Sequence, residues 1–282
     1  MIRVSTRQDL WEALSFPRKD GARVGLVPTM GFLHEGHLSL VDLARAKSDF
    51  VAVSIFVNPL QFGPGEDLDV YPRDLERDVE ELDDRGADLV FHPSVEEMYP
   101  SGDPLVTVDP GPMASVLCGA HRPGHFRGVL TVVARLFGLF RPHVSVFGQK
   151  DYQQAVLIRR MARDLEQGVE VLLGPVVREE NGLAMSSRNT YLAPAERRDA
   201  SGIHRALLTL QGAFGEGERD AEALQGLLKR EIARHPSLVL QYAELVHPET
   251  LEPLEEAVPG GVAAVAAHCG KTRLIDNHIL VE

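Results

Sequence analysis

The first part of the chain alternates between strand-like and helix-like segments, and this alternation most constrains what it can fold into. The strand-like segments are short, apolar and rich in β-branched residues, and they cover residues 23–29, 50–57, 88–91, 143–147 and 169–173. Between them, apolar residues recur at helical spacing. Strands that alternate with helices form βαβ units, so the pattern predicts an α/β fold with a parallel sheet covered by helices on both faces.

A second pattern begins after Gly174-Pro175. The pair Asn181-Gly182, typical of a hairpin turn, is followed by two helical stretches and then by three neighbouring strand-like runs. Helices followed by consecutive strands favour a smaller α+β domain. The sequence therefore predicts two domains, a Rossmann-like domain at residues 1–175 and a C-terminal α+β domain at residues 176–282.

The charge of the 282-residue chain argues against two classes of partner. It has 41 acidic and 29 basic residues, a net charge of -12, whereas non-specific binders of nucleic acid or anionic membranes carry the opposite balance. The first residues do not have the pattern of a signal peptide, so we expect none, and the most apolar stretch, residues 129–140, contains Arg135 and is too short to span a bilayer. Two cysteines do not form a disulfide framework. We expect a cytoplasmic protein that binds neither nucleic acid nor membrane.

Chemistry is expected beyond the carboxyl ends of the parallel strands, where such sheets bind ligands. The segment PTMGFLHEGH, residues 28–37, follows one strand and opens a helix. Gly31 and Gly36 let the backbone approach a ligand, and the helix start presents N–H groups to an anion. His34 and His37 are spaced to face the same side of a helical turn. The segment predicts a phosphate site, with a pair of structural loop histidines as the alternative.

The same segment also resembles half of the HExxH zinc motif. Its second histidine, His37, comes one position too early for that helix geometry, and no third ligand is evident. The sequence therefore assigns no metal ligand.

Two further segments carry cations near predicted helix starts. In FGQKDYQQ, residues 147–154, Lys150 is a point charge suited to phosphate, and Asp151 caps the helix or bonds a sugar hydroxyl. In MSSRN, residues 185–189, Arg188 offers a planar fork for phosphate oxygens. Taken alone, each segment is more simply a solvated charge or turn.

Three other segments are less specific. Two of them permit two interpretations each, and the third is assigned no site. In the long loop at residues 57–73, Asn58 and Gln61 are suited to hold a hydroxy acid, or they hold the loop together. The basic residues 121–128 form either a mobile flap or a helix-capping turn. Residues 73–88 are dense in acids and predict a solvated amphipathic helix with no role in the site.

Six motifs, in register from about residue 24 to 277, together resemble the pantothenate synthetase (pantoate–β-alanine ligase) family of the HxGH nucleotidyltransferase superfamily. The motifs are VPTMGFLHEGHLSLV, SIFVNPLQFG, GHFRGV, FGQKDYQQ, MSSRN and GKTRLIDN. The resemblance implies a Rossmann-like enzyme that joins (R)-pantoate to β-alanine through a pantoyl adenylate, converting ATP to AMP and pyrophosphate. It also implies Mg²⁺ bound chiefly through the ATP phosphates, a homodimer, and a C-terminal domain that acts as a lid.

Carried over motif by motif, the resemblance implies a large ATP site. Its residues are Met30, Gly31, Phe32, Leu33, His34, Glu35, Gly36, His37, Gly148, Gln149, Lys150, Asp151, Val177, Met185, Ser186, Ser187 and Arg188. The expected catalytic residues are His34, His37, Lys150 and Arg188. The family assigns His37 as a general acid, but pyrophosphate is a good leaving group, so we expect both histidines to stabilise charge on the phosphates.

The same resemblance implies a pantoate site at Gln61 and Gln154, with Gln61 also bordering β-alanine. The uncharged amide of Asn58 is a further candidate pantoate ligand. Three alternatives remain at this point: a nucleotidyltransferase that activates another acid, a non-catalytic ATP-binding regulator, and a tRNA-binding enzyme. The first is opposed by Asn58, Gln61 and Gln154, which suit a small hydroxy acid. The second is opposed by the intact His34, His37, Lys150 and Arg188. The acidic balance and the lack of a basic appended domain oppose the third.

Overall fold

The computed structural model describes residues 1–282, which divide into two compact units. The first unit comprises residues 1–111, 121–148 and 157–175, and the second comprises residues 112–120, 149–156 and 176–282. The main division falls at residues 175/176. Two short segments before it also belong to the second unit, and the sequence pattern does not separate them from the first.

The structure contains nine strands and ten α-helices. The strands are β1 Ile2–Val4, β2 Val24–Thr29, β3 Phe50–Ile55, β4 Leu89–Phe91, β5 Val144–Gly148, β6 Glu170–Gly174, β7 Leu238–Val246, β8 Val262–Cys269 and β9 Thr272–Ile279. The helices are α1 Arg7–Lys19, α2 Glu35–Arg45, α3 Leu75–Asp84, α4 Val95–Met98, α5 Leu117–His121, α6 His125–Phe140, α7 Tyr152–Asp164, α8 Pro194–Ala200, α9 Gly202–Gly215 and α10 Ala221–Ile232.

The first unit contains a six-stranded sheet in the order β1-β4-β3-β2-β5-β6, with every pair parallel. This confirms the predicted α/β fold. The chain builds outward from β2 through β3 and β4, and then on the other side through β5 and β6. The order therefore reverses between β2 and β5, and such a switch point opens a crevice at the carboxyl ends of the strands.

Both faces of the central strands of this sheet are buried. Val27 and Val53 pack on one face with apolar residues of α2 and α3. Their strand neighbours Leu26 and Ala52 are fully buried on the opposite face, where α6 contacts both β2 and α1. The sequence pattern did not predict β1 and α1, because α1 contains Pro17 and its only other buried residues are Leu10 and Leu14.

Helix α6 packs against a 3-10 turn at Pro59–Gln61, and Gly128 permits the contact. A Cβ added to Gly128 would overlap the carbonyl group of Leu60 and lie 2.7 Å from the backbone nitrogen of Gln61. The helix can therefore approach this turn only where the side chain is absent. Although α6 is largely apolar, none of the helices combines the length and apolarity needed to cross a membrane.

The second unit contains the antiparallel sheet β7-β8-β9 and helices α8 to α10, so the predicted α+β character of the C-terminal region is confirmed. Its core includes Phe214, Leu224 and Val265, all fully buried. The predicted turn at Asn181-Gly182 is present, with Gly182 at a φ of +91° and an antiparallel bridge between Arg178 and Ala184.

Two glycines of α6 provide a matched test of this packing. Gly128→Ala should lower the free energy of unfolding by about 1–3 kcal/mol, because the added methyl group forces the turn away. Gly138→Ala has open space around its added Cβ and should raise that free energy by about 1 kcal/mol. Urea denaturation measures both values, and equal changes in the two variants would contradict the close-approach argument.

Candidate active site

The loop after β2 adopts an unusual backbone conformation. Gly31 has a φ of +84° and Phe32 a φ of +51°, so two consecutive residues lie in the left-handed region. This region is disfavoured for a residue with a Cβ, at a cost of roughly 1–2 kcal/mol. Thr29 steadies the start of the loop by donating its hydroxyl to the carbonyl oxygen of Ser54 at 2.9 Å. Other interactions must hold Phe32.

The carboxylate of Asp78, on α3, supplies those interactions. Its two oxygens accept hydrogen bonds from the backbone N–H groups of Phe32 and Leu33, each at 2.7 Å, and the residue is 1% exposed. A Cβ at Gly31 would lie only 3.0 Å from Asp78 Oδ2 and 2.9 Å from Ile55 Cγ2. The prediction that the acidic residues of this amphipathic helix are solvated is therefore wrong at Asp78, which turns inward because buried N–H groups require an acceptor.

Arg77 closes the same loop from outside. Its guanidinium donates to the carbonyl oxygen of Leu33 at 2.9 Å and lies 4.4 Å from the centre of the Phe32 ring. The guanidinium also lies 3.4 Å from Asp78 Oδ1, so the buried carboxylate has a cationic neighbour. Two adjacent residues of α3 thus hold Phe32 and Leu33 by backbone and ring contacts.

The loop brings the two predicted histidines together at the start of α2. His34 is the N-cap, and its Nδ1 accepts a hydrogen bond from Gly36 N at 3.1 Å. In the neutral ring, this bond leaves the proton on Nε2. The rings of His34 and His37 lie 4.1 Å apart between centroids. No group of three or more His, Cys, Asp or Glu side chains is arranged to hold a metal ion.

Glu35 is the one acidic residue in the predicted phosphate segment. Its carboxylate pairs with the guanidinium of Arg85, which also pairs with Asp42 at 2.6 Å. The bond to Glu35 raises the pKa of Arg85. The negative charge of Glu35 is thus balanced beside the helix start, where the helix dipole favours an anion.

Asn58 is buried, and all of its hydrogen-bonding capacity is used within the protein. Its Nδ2 donates to Gln61 Oε1 at 3.1 Å and to the carbonyl oxygen of Gly128 at 3.2 Å. Its Oδ1 accepts from the Tyr99 hydroxyl at 2.8 Å and from Leu60 N at 3.3 Å. An amide has two hydrogens and two lone pairs to offer, so none remains for a ligand. This geometry opposes direct binding of pantoate by Asn58.

Gln61 is held on both its side chain and its backbone. Its Nε2 lies 3.0 Å from Met30 Sδ, and its carbonyl oxygen lies 2.7 Å from His125 Nδ1 and 3.4 Å from the Arg122 guanidinium. Arg122 in turn pairs with Glu66 at 2.5 Å. Burial raises the pKa of Glu66, but the Arg122 hydrogen bond and charge outweigh it and lower the pKa overall. These contacts favour the turn interpretation of residues 121–128 over a mobile flap.

A cavity of about 310 Å³ lies beside the loop between β2 and α2 in the first unit. Its lining includes Met30 and Gly31, the end of β3 at residues 55–57, and the segment 92–95 after β4. Met30 therefore contacts Gln61 and also lines the cavity. The carboxyl ends of these strands offer space for a small molecule.

In the second unit, Lys150 lies in a 3-10 turn at Gln149–Asp151, directly after the end of β5. Its Nζ is 3.9 Å from Asp151 Oδ2. Gln154 is partly buried in the first turn of α7. The turn carbonyls at residues 149 and 150 accept hydrogen bonds from Asn277, which lay in the GKTRLIDN motif but had no predicted role.

The hairpin of the second unit brings together the predicted ATP residues Val177 and Met185, since Met185 N donates to the carbonyl oxygen of Val177 at 2.9 Å. Ser186 caps the following 3-10 turn by accepting from Arg188 N at 3.3 Å. Ser187 is buried within this turn. Gly148 ends β5 in the first unit.

Comparisons with known proteins agree on one family. The sequence model of the family described as pantoate-beta-alanine ligase matches residues 3–279. A pantothenate synthetase of Thermoanaerobacter sp. (strain X514) is 51% identical over 277 residues, covering 98% of both chains. Another from Nocardioides sp. is 54% identical over 281 residues, covering 96% of this chain and 83% of its own.

Two solved structures are similar over nearly the whole chain. The crystal structure of pantothenate synthetase from Thermus thermophilus is 50% identical, with a TM-score of 0.94 and 100% coverage of both chains. The pantoate-beta-alanine ligase of Francisella tularensis, complexed with beta-gamma ATP and beta-alanine, is 32% identical. Its TM-score is 0.79, and the match covers 99% of this chain and 97% of that one.

The role of Asp78 can be tested against a neighbour on the same helix. Asp78→Ala leaves two buried N–H groups without their acceptor and should lower the free energy of unfolding by about 3 kcal/mol. Glu80→Ala, at an exposed position of α3, should change it by no more than about 0.5 kcal/mol. Urea denaturation compares the two, and similar values would mean that Asp78 does not hold the loop.

Proposed function

Because the chain belongs to the pantoate–β-alanine ligase family, we propose that it catalyses the ATP-dependent condensation of (R)-pantoate with β-alanine. The products are pantothenate, AMP and pyrophosphate. The observation that carries the proposal is the His34–His37 pair at the start of α2, held by a loop that follows the central strand β2. The family match over residues 3–279 supports it over nearly the whole chain.

In the first step, a carboxylate oxygen of pantoate attacks the α-phosphorus of ATP, and the bond to the bridging oxygen of pyrophosphate breaks. Negative charge grows on the departing phosphates. The Nε2–H of His34, the His37 ring and the N–H groups at the start of α2 donate to these oxygens. Lys150 and Arg188 add positive charge, which offsets the repulsion between the carboxylate and the triphosphate.

In the second step, the neutral amine of β-alanine attacks the carbonyl carbon of pantoyl adenylate. AMP leaves with one oxygen of the former pantoate carboxylate, and the amine nitrogen releases a proton as the amide forms. No second ATP is needed, because the mixed anhydride already carries a good leaving group. Water competes with the amine for the same carbon, so shielding the adenylate raises the yield of amide.

The residue roles follow from the site and the family motifs. We assign the residues at 30–37, 148–151, 177 and 185–188 to ATP, and Gln61 and Gln154 to pantoate, with Gln61 also beside β-alanine. Asn58 is assigned a positioning role, because its amide is occupied in holding Gln61 and Gly128.

Several finer properties remain proposals. Mg²⁺ prefers oxygen ligands, whereas the residues we assign to phosphate contribute mainly nitrogen donors, so the ion would be held chiefly by ATP itself. Bound there, it would neutralise phosphate charge. We likewise propose a homodimer and a cytoplasmic location. We also propose that residues 1–175 bind ATP and pantoate and that residues 176–282 act as a lid.

The reaction can be tested by following pyrophosphate. With ATP and (R)-pantoate but no β-alanine, the enzyme should release pyrophosphate in an amount near one equivalent per site, as the adenylate stays bound. Added β-alanine should convert this burst into continuous turnover with equal amounts of AMP and pantothenate. Pyrophosphate release that is independent of pantoate would contradict the proposal, and a response to another acid alone would indicate a different nucleotidyltransferase.

For the histidine pair, His37→Ala should lower the rate of pyrophosphate release by a factor on the order of a hundred or more, because a donor to the developing charge is lost. His37→Gln keeps an N–H donor and should retain part of the rate. Rapid-quench measurements separate this step from product release. A rate near that of the wild type in His37→Ala would remove this residue from the mechanism.

For the pantoate site, Gln61→Ala should raise the KM for pantoate by about tenfold, the effect of losing one hydrogen bond. The Kd for ATP, measured by calorimetry, should change less than about twofold in the same variant. Gln8→Ala, at an exposed position of α1, is the control for a glutamine change. An equal loss of affinity for both substrates would contradict the assignment.

A further inference from the structure

Two adjacent polar side chains of β9, Asp276 and Asn277, are buried in the second unit. They are 5% and 3% exposed, respectively. Neither belongs to the residues assigned to a substrate. Because a buried polar group is stable only when its hydrogen bonds are made, their partners indicate what these side chains do.

Asn277 binds the turn that carries Lys150. Its Nδ2 donates to the carbonyl oxygens of Gln149 at 2.9 Å and Lys150 at 3.0 Å. Its Oδ1 accepts from Gln149 Nε2 at 3.1 Å. The two carbonyls flank the α-carbon of Lys150, so one amide group fixes the backbone on both sides of that residue. Only an amide offers two hydrogens and an acceptor in this arrangement, since a carboxylate would face both carbonyls with lone pairs.

Asp276 binds the hairpin that carries Val177 and Met185. Its two oxygens accept from the guanidinium of Arg178 at 2.6 and 3.0 Å, and Oδ1 also accepts from Asn277 N at 2.8 Å. Arg178 further donates to the carbonyl oxygen of Gly182 at 3.1 Å. A bidentate pair of this kind fixes orientation as well as distance.

The neighbouring histidines do not compete for Asp276. Burial, followed by the charge of Arg178, lowers the pKa of both His204 and His278. They therefore stay neutral near neutral pH, and Arg178 remains the cation paired with this carboxylate.

We propose that Asn277 is a positioning residue for catalysis. It fixes Lys150 through the two carbonyls, and the Asp276–Arg178 pair beside it connects this turn to the hairpin with Val177 and Met185. These two nucleotide-binding segments of the second unit are thus held as one rigid piece. The kinetic consequence of this inference rests on the proposed ligase function, whereas its structural consequence does not.

The kinetic test is a double-mutant cycle in the full-length enzyme. Asn277→Asp keeps the size of the side chain but removes both donors, and it should lower the rate of pyrophosphate release about 10- to 100-fold. The KM for pantoate should change by less than about twofold. If Asn277 acts through Lys150, combining it with Lys150→Ala should be no slower than Lys150→Ala alone. Fully multiplicative losses, or a wild-type rate in folded Asn277→Asp, would overturn the proposal.

Arg273→Gln is the matched control on the same strand. Arg273 contacts Gln241 and Cys118 and makes no bond to the turn, so its loss should leave the pyrophosphate rate unchanged while altering the same sheet. An equal loss of rate in this control would attribute the effect to the sheet as a whole and overturn the proposal.

Hydrogen exchange provides a test that needs no substrate. Backbone amides at residues 149–152 and 177–185 should exchange faster in Asn277→Asp than in the wild type, because the local restraint is gone. Unchanged exchange in both segments would overturn the inference. If Asn277→Asp does not fold, Arg178→Lys is the second variant. It keeps the positive charge but loses the two-pronged hydrogen bonding to Asp276, so amides at residues 177–185 should exchange faster. If wild-type enzyme releases no pyrophosphate with pantoate, the proposed function fails, and exchange alone decides this inference.

Discussion

Two hydrogen bonds to the buried carboxylate of Asp78 are the constraint on which the loop between β2 and α2 depends. They offset the cost of a left-handed Phe32 and hold the chain between β2 and α2 in one conformation. Charge-assisted bonds of this kind are worth about 1.5–3 kcal/mol each, more than the backbone strain they oppose. The loop places His34 as the N-cap of α2. The hydrogen bond from Gly36 N to His34 Nδ1 then determines which ring nitrogen carries the proton in the neutral ring.

The chemistry requires two anions to meet, although the chain itself has a net charge of -12. What matters for binding an anion is the charge close to the site. Within the predicted phosphate segment the one carboxylate, Glu35, is paired with Arg85, and the groups that we propose to contact phosphate are N–H donors and cations. Two buried acidic residues elsewhere, Asp78 and Asp276, accept hydrogen bonds that hold loops in place. Net charge therefore describes the outside of the protein and does not predict its pocket.

Sequence patterns predicted β2, β3, α2 and the sheet class, because buried parallel strands and amphipathic helices have strong periodic signals. They did not predict the inward turn of Asp78, because one aspartate in an acidic helix looks like its solvated neighbours until the position of residues 30–33 is known. Whether Asn58 binds pantoate or holds the loop together also could not be decided from the sequence, because the answer depends on its hydrogen-bond partners in the folded structure. Asn277 lies in one of the six motifs, but the carbonyl groups that it binds lie 127 and 128 residues earlier in the chain. A local sequence pattern cannot predict a contact between residues so far apart.

We propose that the pantoate carboxylate is activated by direct attack on the α-phosphorus of ATP. Isotope transfer from the carboxylate to AMP distinguishes this route from the others. With pantoate labelled by ¹⁸O in both carboxylate oxygens, AMP should carry one ¹⁸O atom, and pantothenate should keep the other in its amide carbonyl. Label in inorganic phosphate together with ADP, or AMP without ¹⁸O, would contradict an adenylate intermediate.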